Sequence, residues 1–237
     1  MLSSCLLTFF LSSSVALAAE LLVAAASDVA PLEKPLSEGF QRATGQRLRF
    51  VFGSSGMLAR QIENGAPYDV YLSANEQFVR DLVTQSKILS GSVTIYAAGR
   101  VALWSKSGAV RTLSDLRAAR RIAMANPAHA PYGVAARQVL EKQGLWPELQ
   151  SRIVYAENVR QALQFAESGN ADAVLTAWSL VIGRGGVLLP AEWHAPVRQS
   201  GGIVASSGQQ PLAARLLDFL VSKSGRAILD RFGLFAP

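Results

Sequence analysis

A two-lobed α/β protein is the fold the sequence predicts, and three observations carry that expectation. Short apolar runs alternate with segments whose apolar residues recur every three or four positions, the signature of βαβ units and a mostly parallel sheet. The alternation occurs twice, once before and once after residue 100. Two longer apolar stretches, residues 93–104 and 196–205, read as strands that cross between the similar halves. The chain has 237 residues, half of them hydrophobic and 17% charged, which excludes a disordered or collagen-like polypeptide. At this length about 70% of the unfolded surface can be buried without metals or disulfides.

Residues 21–26, Leu-Leu-Val-Ala-Ala-Ala, form a first buried strand that stops at Ser27-Asp28. Leu32, Leu36, Phe40 and Ala43 then mark a helical face, closed by Thr44-Gly45. A strand over 48–52 runs into Gly53-Ser54-Ser55-Gly56, followed by a helix over 57–64 that Gly65 ends. Residues 69–72 make the next strand and 77–85 the next helix. In the second half a helix starts at Ser114. Strands are expected over 121–125, 153–155 and 173–177, and helices over 132–143 and 158–168. Amphipathic helices over 212–220 and 227–232 close the chain. The boundaries expected are lobe 1 over 20–97 plus 198–237 and lobe 2 over 98–197.

Residues 1–19 are uncharged, apolar apart from hydroxyl side chains, and end in Ala16-Leu17-Ala18, a small-x-small site for signal peptidase. They are read as a secretory signal peptide, although no basic n-region precedes the apolar run. Leu2-Ser3-Ser4-Cys5 has the look of a lipoprotein box but stands too close to Met1 for the apolar run such a box requires. Ser12-Ser13-Ser14 interrupts the segment short of the ~20 apolar residues of a spanning helix. Cys5 is the single cysteine, so the mature chain would contain none, which suits an oxidising periplasm.

The formal charge is +6, which raises the possibility of nucleic-acid binding. The basic residues are not gathered for it: Arg42 to Arg49 and Arg117 to Arg121 are short groups at expected helix ends, where cations complement the helix dipole. The chemistry lies instead at the strand-to-helix junctions Ala26-Ser27-Asp28, Gly53-Ser54-Ser55-Gly56, Pro131-Tyr132-Gly133 and Glu157-Asn158-Val159. Ligands of open α/β sheets bind outside the carboxyl ends of strands. Each helix start there offers unpaired N–H groups and about half a positive charge, so several converging starts make an anion site without a basic side chain. Ser, Asp and Asn are also the preferred N-caps for purely structural reasons, which is the commoner role of any one of them.

Motifs at these junctions resemble those of the periplasmic molybdate-binding proteins of ABC importers, the ModA family. They are Ala24-Ala25-Ala26-Ser27, the string from Gly53 through Ser55, Arg60-Gln61-Ile62-Glu63 and Gly65-Ala66-Pro67, Asp69-Val70-Tyr71-Leu72-Ser73-Ala74, Asn126-Pro127 with Ala130-Pro131-Tyr132-Gly133, and Glu157-Asn158-Val159-Arg160-Gln161-Ala162-Leu163. The match runs in order from about residue 21 to the end. The resemblance implies a type II periplasmic binding protein whose two lobes close on molybdate or tungstate and deliver it to a membrane permease. By motif position, Ser27 and Ser55 would donate hydroxyl and backbone N–H bonds, and Tyr132 and Val159 backbone N–H groups alone. These four would hold molybdate as an oxyanion, with no direct coordination of the metal. Some members add a tyrosine hydroxyl from the strand matching 172–178. Here Ala177 stands nearest that position, leaving Thr176 or Ser179 as possible substitutes. The implied protein is a periplasmic monomer with no cofactor beyond its ligand and no nucleic-acid partner.

Other classes fit less well. A serine hydrolase elbow, Gly-x-Ser-x-Gly, would need glycine where Met57 stands, and neither His129 nor His194 lies in a triad string. Both histidines are expected on the surface or in loops, and two of them with no mature cysteine make a poor zinc inventory. No Gly-Lys-Ser/Thr phosphate loop occurs. Asp28 and Asp69 are expected as an N-cap and a strand opener rather than as paired catalytic carboxyls. A regulator's effector domain would carry a helix-turn-helix before the first strand, where only the signal-like stretch is found. Trp104, Trp146, Trp178 and Trp193 are expected in core or rim packing. Binding of another small tetrahedral anion such as sulfate is the nearest alternative.

Overall fold

The computed structural model describes residues 20–237, so the expected signal peptide lies outside the described residues. The elements run β1 (Glu20–Ala26), α1 (Glu33–Thr44), β2 (Arg47–Gly53), α2 (Ser55–Glu63), β3 (Val70–Ser73), α3 (Glu76–Thr84), β4 (Thr94–Gly99) and β5 (Val101–Trp104). They continue with β6 (Ile122–Ala125), α4 (Pro131–Lys142), α5 (Trp146–Leu149), β7 (Ile153–Ala156), α6 (Val159–Glu167), β8 (Ala173–Ala177) and α7 (Trp178–Val181). The chain finishes with β9 (Val187–Leu188), β10 (Val197–Ile203), α8 (Gln210–Val221) and α9 (Lys223–Arg231). The helix expected from Ser114 is only a 3-10 turn, Ser114–Ala118. Its first-turn Asp115 accepts hydrogen bonds from the Arg111 and Thr112 N–H groups and holds the turn in place of a longer helix.

Two five-stranded sheets result. The first has the order β2-β1-β3-β10-β4 and the second β7-β6-β8-β5-β9. In the first sheet β1 is parallel to β2 and β3, and β10 runs antiparallel to β3 and β4. In the second, β6 is parallel to β7 and β8, and β5 runs antiparallel to β8 and β9. Each sheet therefore has a single reversed strand, β10 or β5, among strands that point one way. Helices cover both faces of such sheets, which is why their strands read as continuous apolar runs rather than alternating ones. In β1, Leu21, Val23 and Ala25 enter one cluster with Leu36, Phe40 and Leu217, while Ala24 enters another with Leu58, Ile62 and Tyr71 on the opposite face.

The stretch expected to cross at 93–104 divides at Arg100: β4 belongs to the first sheet and β5 to the second. The return passes from β9 to β10. Arg100 ties the two crossings by donating from its guanidinium to the Leu189 carbonyl at 2.6 Å, and Gly99 pairs with Val197 beside it. The tryptophans meet their expectation, since Trp104 belongs to the second-half core and Trp146, Trp178 and Trp193 pack against it. At the end of α1, Gly45 takes the left-handed conformation (φ 74°) that closes a helix without a Cβ clash.

The first-half core predicts a stability test. Phe40 is fully buried, with its ring edge-on to Phe219 at 5.9 Å between centroids. Phe40→Ala should lower the unfolding free energy by about 3–5 kcal/mol in a denaturant titration. The exposed neighbour Gln41→Ala should change it by about 0.5 kcal/mol or less.

Candidate functional site

Four junctions at the carboxyl ends of strands face one cavity. β1 ends at Ala26 and a 3-10 turn begins at Ser27; β2 ends at Gly53 and α2 begins at Ser55. In the second half, the loop after β6 leads into α4 at Pro131, and α6 starts at Val159 just after β7. Ser27, Ser55, Tyr132 and Val159 all line the cavity and are all buried. None of the described residues that line it is Lys or Arg.

Local capping determines which N–H groups remain for a ligand. Ser55, Tyr132 and Val159 are first or second residues of their helices, where N–H groups have no intrahelical acceptor. The Asn158 side chain caps α6 by accepting from Arg160 and Gln161 at 3.0 Å each, which leaves the Val159 N–H outside the cap. In α2 the Gly56 N–H donates across the halves to the His129 carbonyl at 2.9 Å. In α4 the Gly133 N–H turns back to the Ala130 carbonyl at 2.9 Å.

The hydroxyls differ in readiness. Ser55 Oγ accepts from the Ala74 N–H at 3.0 Å, so its own proton is available to an acceptor in the cavity. Its backbone is held in turn by the Tyr71 hydroxyl, which donates to the Ser55 carbonyl at 2.7 Å. Ser27 Oγ donates to the Gly53 carbonyl at 3.0 Å and must rotate to donate to a ligand. Thr176 and Ser179 do not take the place of the missing tyrosine donor. Thr176 Oγ1 donates to the Val159 carbonyl at 3.0 Å and Ser179 Oγ to the Asp28 carbonyl at 2.7 Å, and neither lines the cavity.

Asp28 does not cap a helix as expected: no side-chain cap closes the turn it belongs to. Its fully buried carboxylate accepts from the Tyr132 hydroxyl at 3.0 Å and from Gln199 Nε2 at 2.7 Å, both on Oδ2, while Oδ1 has no partner. Tyr96 donates to Gln199 Oε1 at 3.2 Å, which orients the amide so that its N–H faces the acid. Burial pushes the Asp28 carboxyl up to about 7, against the Tyr132 and Gln199 hydrogen bonds that hold it down. Asp69, just before β3, serves a different network: it accepts from the Leu22 N–H at 2.8 Å and the Ser207 hydroxyl at 2.6 Å. The two acids are thus not a catalytic pair.

The histidines divide. His129, half-buried in the loop before α4, joins the halves through its carbonyl bond to Gly56 and through Nδ1 to the Ser54 hydroxyl at 3.0 Å. His194 lies in the loop before β10, as expected, but is buried there, and burial lowers its pKa. Among the described residues no group of three or more His, Cys, Asp or Glu side chains is placed to hold a metal, and no helix is long and apolar enough to cross a membrane. The contributions of Gln199, Tyr96 and His129 were absent from the sequence reading, because nothing local marks a polar residue in a strand or loop as a partner of Asp28 or Ser54.

Comparisons with known proteins show the family and the fold. The family model for bacterial extracellular solute-binding proteins matches residues 21–235. The molybdate-binding protein ModA of Azotobacter vinelandii is 33% identical over 233 residues, covering 94% of this chain and 92% of its own length. That of Rhodobacter capsulatus is 31% identical over 229 residues, covering 92% and 89%. A solved structure of the Azotobacter vinelandii periplasmic molybdate-binding protein superposes with a TM-score of 0.86 at 34% identity, over 92% of this chain and 99% of that one. The sulfate-binding protein SubI of Mycobacterium tuberculosis shares the fold, with a TM-score of 0.74 at 12% identity. These relatives are solute-binding proteins and not enzymes. With two mostly parallel sheets, helix starts gathered on one cavity and a match over nearly the whole described chain, this protein belongs to the ModA family of bacterial extracellular solute-binding proteins.

Proposed function

We propose that this protein captures molybdate or tungstate as a tetrahedral dianion and delivers it to the permease of an ABC importer in the inner membrane. It would do so in the periplasm, after export on residues 1–19, as a monomer with no cofactor beyond the ligand. The lobes are taken as residues 20–97 plus 198–237 and residues 98–197. The observation that carries the reading is the convergence of Ser27, Ser55, Tyr132 and Val159 on one buried cavity that no Lys or Arg lines. The Azotobacter and Rhodobacter relatives named for molybdate support the choice of ligand.

The chemistry is consistent with a fully deprotonated oxyanion. N–H and O–H donors have no use for a proton on the ligand, so hydrogen phosphate is disfavoured, while sulfate is discriminated only through how far the lobes close. Hydrogen bonds to a charged group are worth about 1.5–3 kcal/mol each, so two hydroxyls and four N–H groups supply on the order of 10 kcal/mol before ordering costs. That corresponds to sub-micromolar binding or tighter. Sulfate is the second reading. The observation that favours it is the engagement of Thr176 and Ser179 elsewhere, which leaves the site one donor short of those members that carry a second-lobe tyrosine.

A thermal-shift titration with molybdate, tungstate, sulfate and phosphate tests the ligand. Molybdate or tungstate at a hundred times its dissociation constant should add about 2.7 kcal/mol of stability. A clear shift with sulfate and none with molybdate or tungstate would reject the first reading in favour of the second. Ser27→Ala and Ser55→Ala should each weaken binding by about 1.5–3 kcal/mol in calorimetry, and Ser55→Ala should also lower the ligand-free melting temperature, because the buried Ala74 N–H loses its acceptor. Unchanged affinity in both variants would overturn the assignment of these hydroxyls.

A further inference from the structure

Asp28 stands next to Ser27 in the chain, yet its side chain reaches toward the other half of the molecule. Its carboxylate accepts from the Tyr132 hydroxyl on α4 and from Gln199 on β10, and its carbonyl accepts from Ser179 on α7. One residue of the first half is thereby tied to the start of two helices of the second half and to the strand that returns from it. The surroundings are shaped for this tie. Gly99, at the crossing, lies so close to the Tyr132 hydroxyl that a Cβ there would collide with it. Gln199, its amide oriented by Tyr96, also donates to the Tyr132 oxygen at 3.3 Å. The Tyr132 ring is buried and runs from the cavity-lining backbone to Asp28, so holding its hydroxyl holds the first turn of α4.

We propose that Asp28 is a positioning residue for the anion site: through the Tyr132 hydroxyl and the Ser179 bond it sets how close the second half comes to Ser27 and aims the Tyr132 N–H at the ligand. The proposal rests on the oxyanion reading above and deepens it, since it names the contact that sets the width of the closed cavity. The Tyr132 side chain then acts at a distance from the ligand although only its main chain would touch it. Asp28 itself lines the cavity, with Oδ2 turned to Tyr132 and Gln199 and Oδ1 without a partner. The Asp28 oxygen without a partner makes a sharp test available. In Asp28→Asn the amide oxygen can accept both bonds that Oδ2 accepts now, with the amide nitrogen in the place of Oδ1.

The test measures dissociation constants and dissociation rates for molybdate and sulfate in the wild type, Asp28→Asn, Asp28→Ala, Tyr132→Phe and the double variant Asp28→Ala/Tyr132→Phe. Ligand-free melting temperatures are taken alongside. Asp28→Ala and Tyr132→Phe should each weaken molybdate binding about tenfold or more, mainly through faster dissociation. The double variant should be no worse than the weaker single, because both changes break one contact. Asp28→Asn should stay within about threefold of the wild type. Wild-type affinity in Asp28→Ala and Tyr132→Phe, whatever their melting temperatures, or losses that add in the double variant, would overturn the proposal while leaving the ligand reading intact. Wild-type binding of sulfate and not molybdate would overturn the ligand reading instead, and the same variants with sulfate then decide the role of Asp28. Binding of neither anion by the wild type overturns both.

Discussion

Backbone N–H groups at helix starts cannot be satisfied by their own helix, and the site depends on that constraint. The protein caps some of them internally, as Asn158 does for Arg160 and Gln161, and as His129 does for Gly56 across the halves. Those of Ser55, Tyr132 and Val159 lie around the cavity instead. An anion held in this way is neutralised by dipoles whose orientation the helices already determine, so little reorganisation accompanies binding. The net charge of +6 has no part in the proposed contacts, because none of the described lining residues is basic.

Dipoles from two halves can act together only if the halves meet correctly, and three features govern that meeting. Arg100 joins the two crossings through the Leu189 carbonyl. His129 bridges to Ser54 and Gly56 at one edge of the cavity. Asp28 with Tyr132, Gln199 and Ser179 bridges within the buried interior. The last of these is the most consequential, because a buried carboxyl with one oxygen lacking a partner carries a desolvation penalty that only a specific arrangement of donors offsets. Packing alone would have been served by an apolar residue. The hydrogen bonds of this cluster are directional, so they hold only while the halves keep the relative position that brings Asp28 to Tyr132, Gln199 and Ser179.

Much of the fold was legible because period-two and period-3.6 patterns reflect which face is buried, a local property of the sequence. β1, α3, α6 and β8 fall within a residue or two of their expected limits. The segment after Ser114 was not legible: its apolar spacing suits a helix, but the Asp115 carboxylate rewards a tight turn by capping Arg111 and Thr112. The short α5, α7 and β9 also escaped notice, since elements of two to four residues carry only about one period of a pattern and nothing that repeats. In the site, serines at strand ends announced themselves through motif and position. The engagement of Thr176 and Ser179, and the partnership of Asp28 with Gln199, involve residues 17 to 171 positions apart and leave no local trace.

By itself the sequence determined the alternation of strands and helices, the doubling of that unit, the two crossings and the junctions where N–H groups would be exposed. These follow from side-chain periodicity and from glycine, serine and asparagine at chain reversals, which act over a few residues. Tertiary structure alone decided which hydroxyls remain available, turned Asp28 from an expected cap into a bridge between halves, and buried the loop residue His194. A hydrogen bond is short and directional, so its partner is known only when both groups have been brought within about 3 Å by the packing of the whole chain.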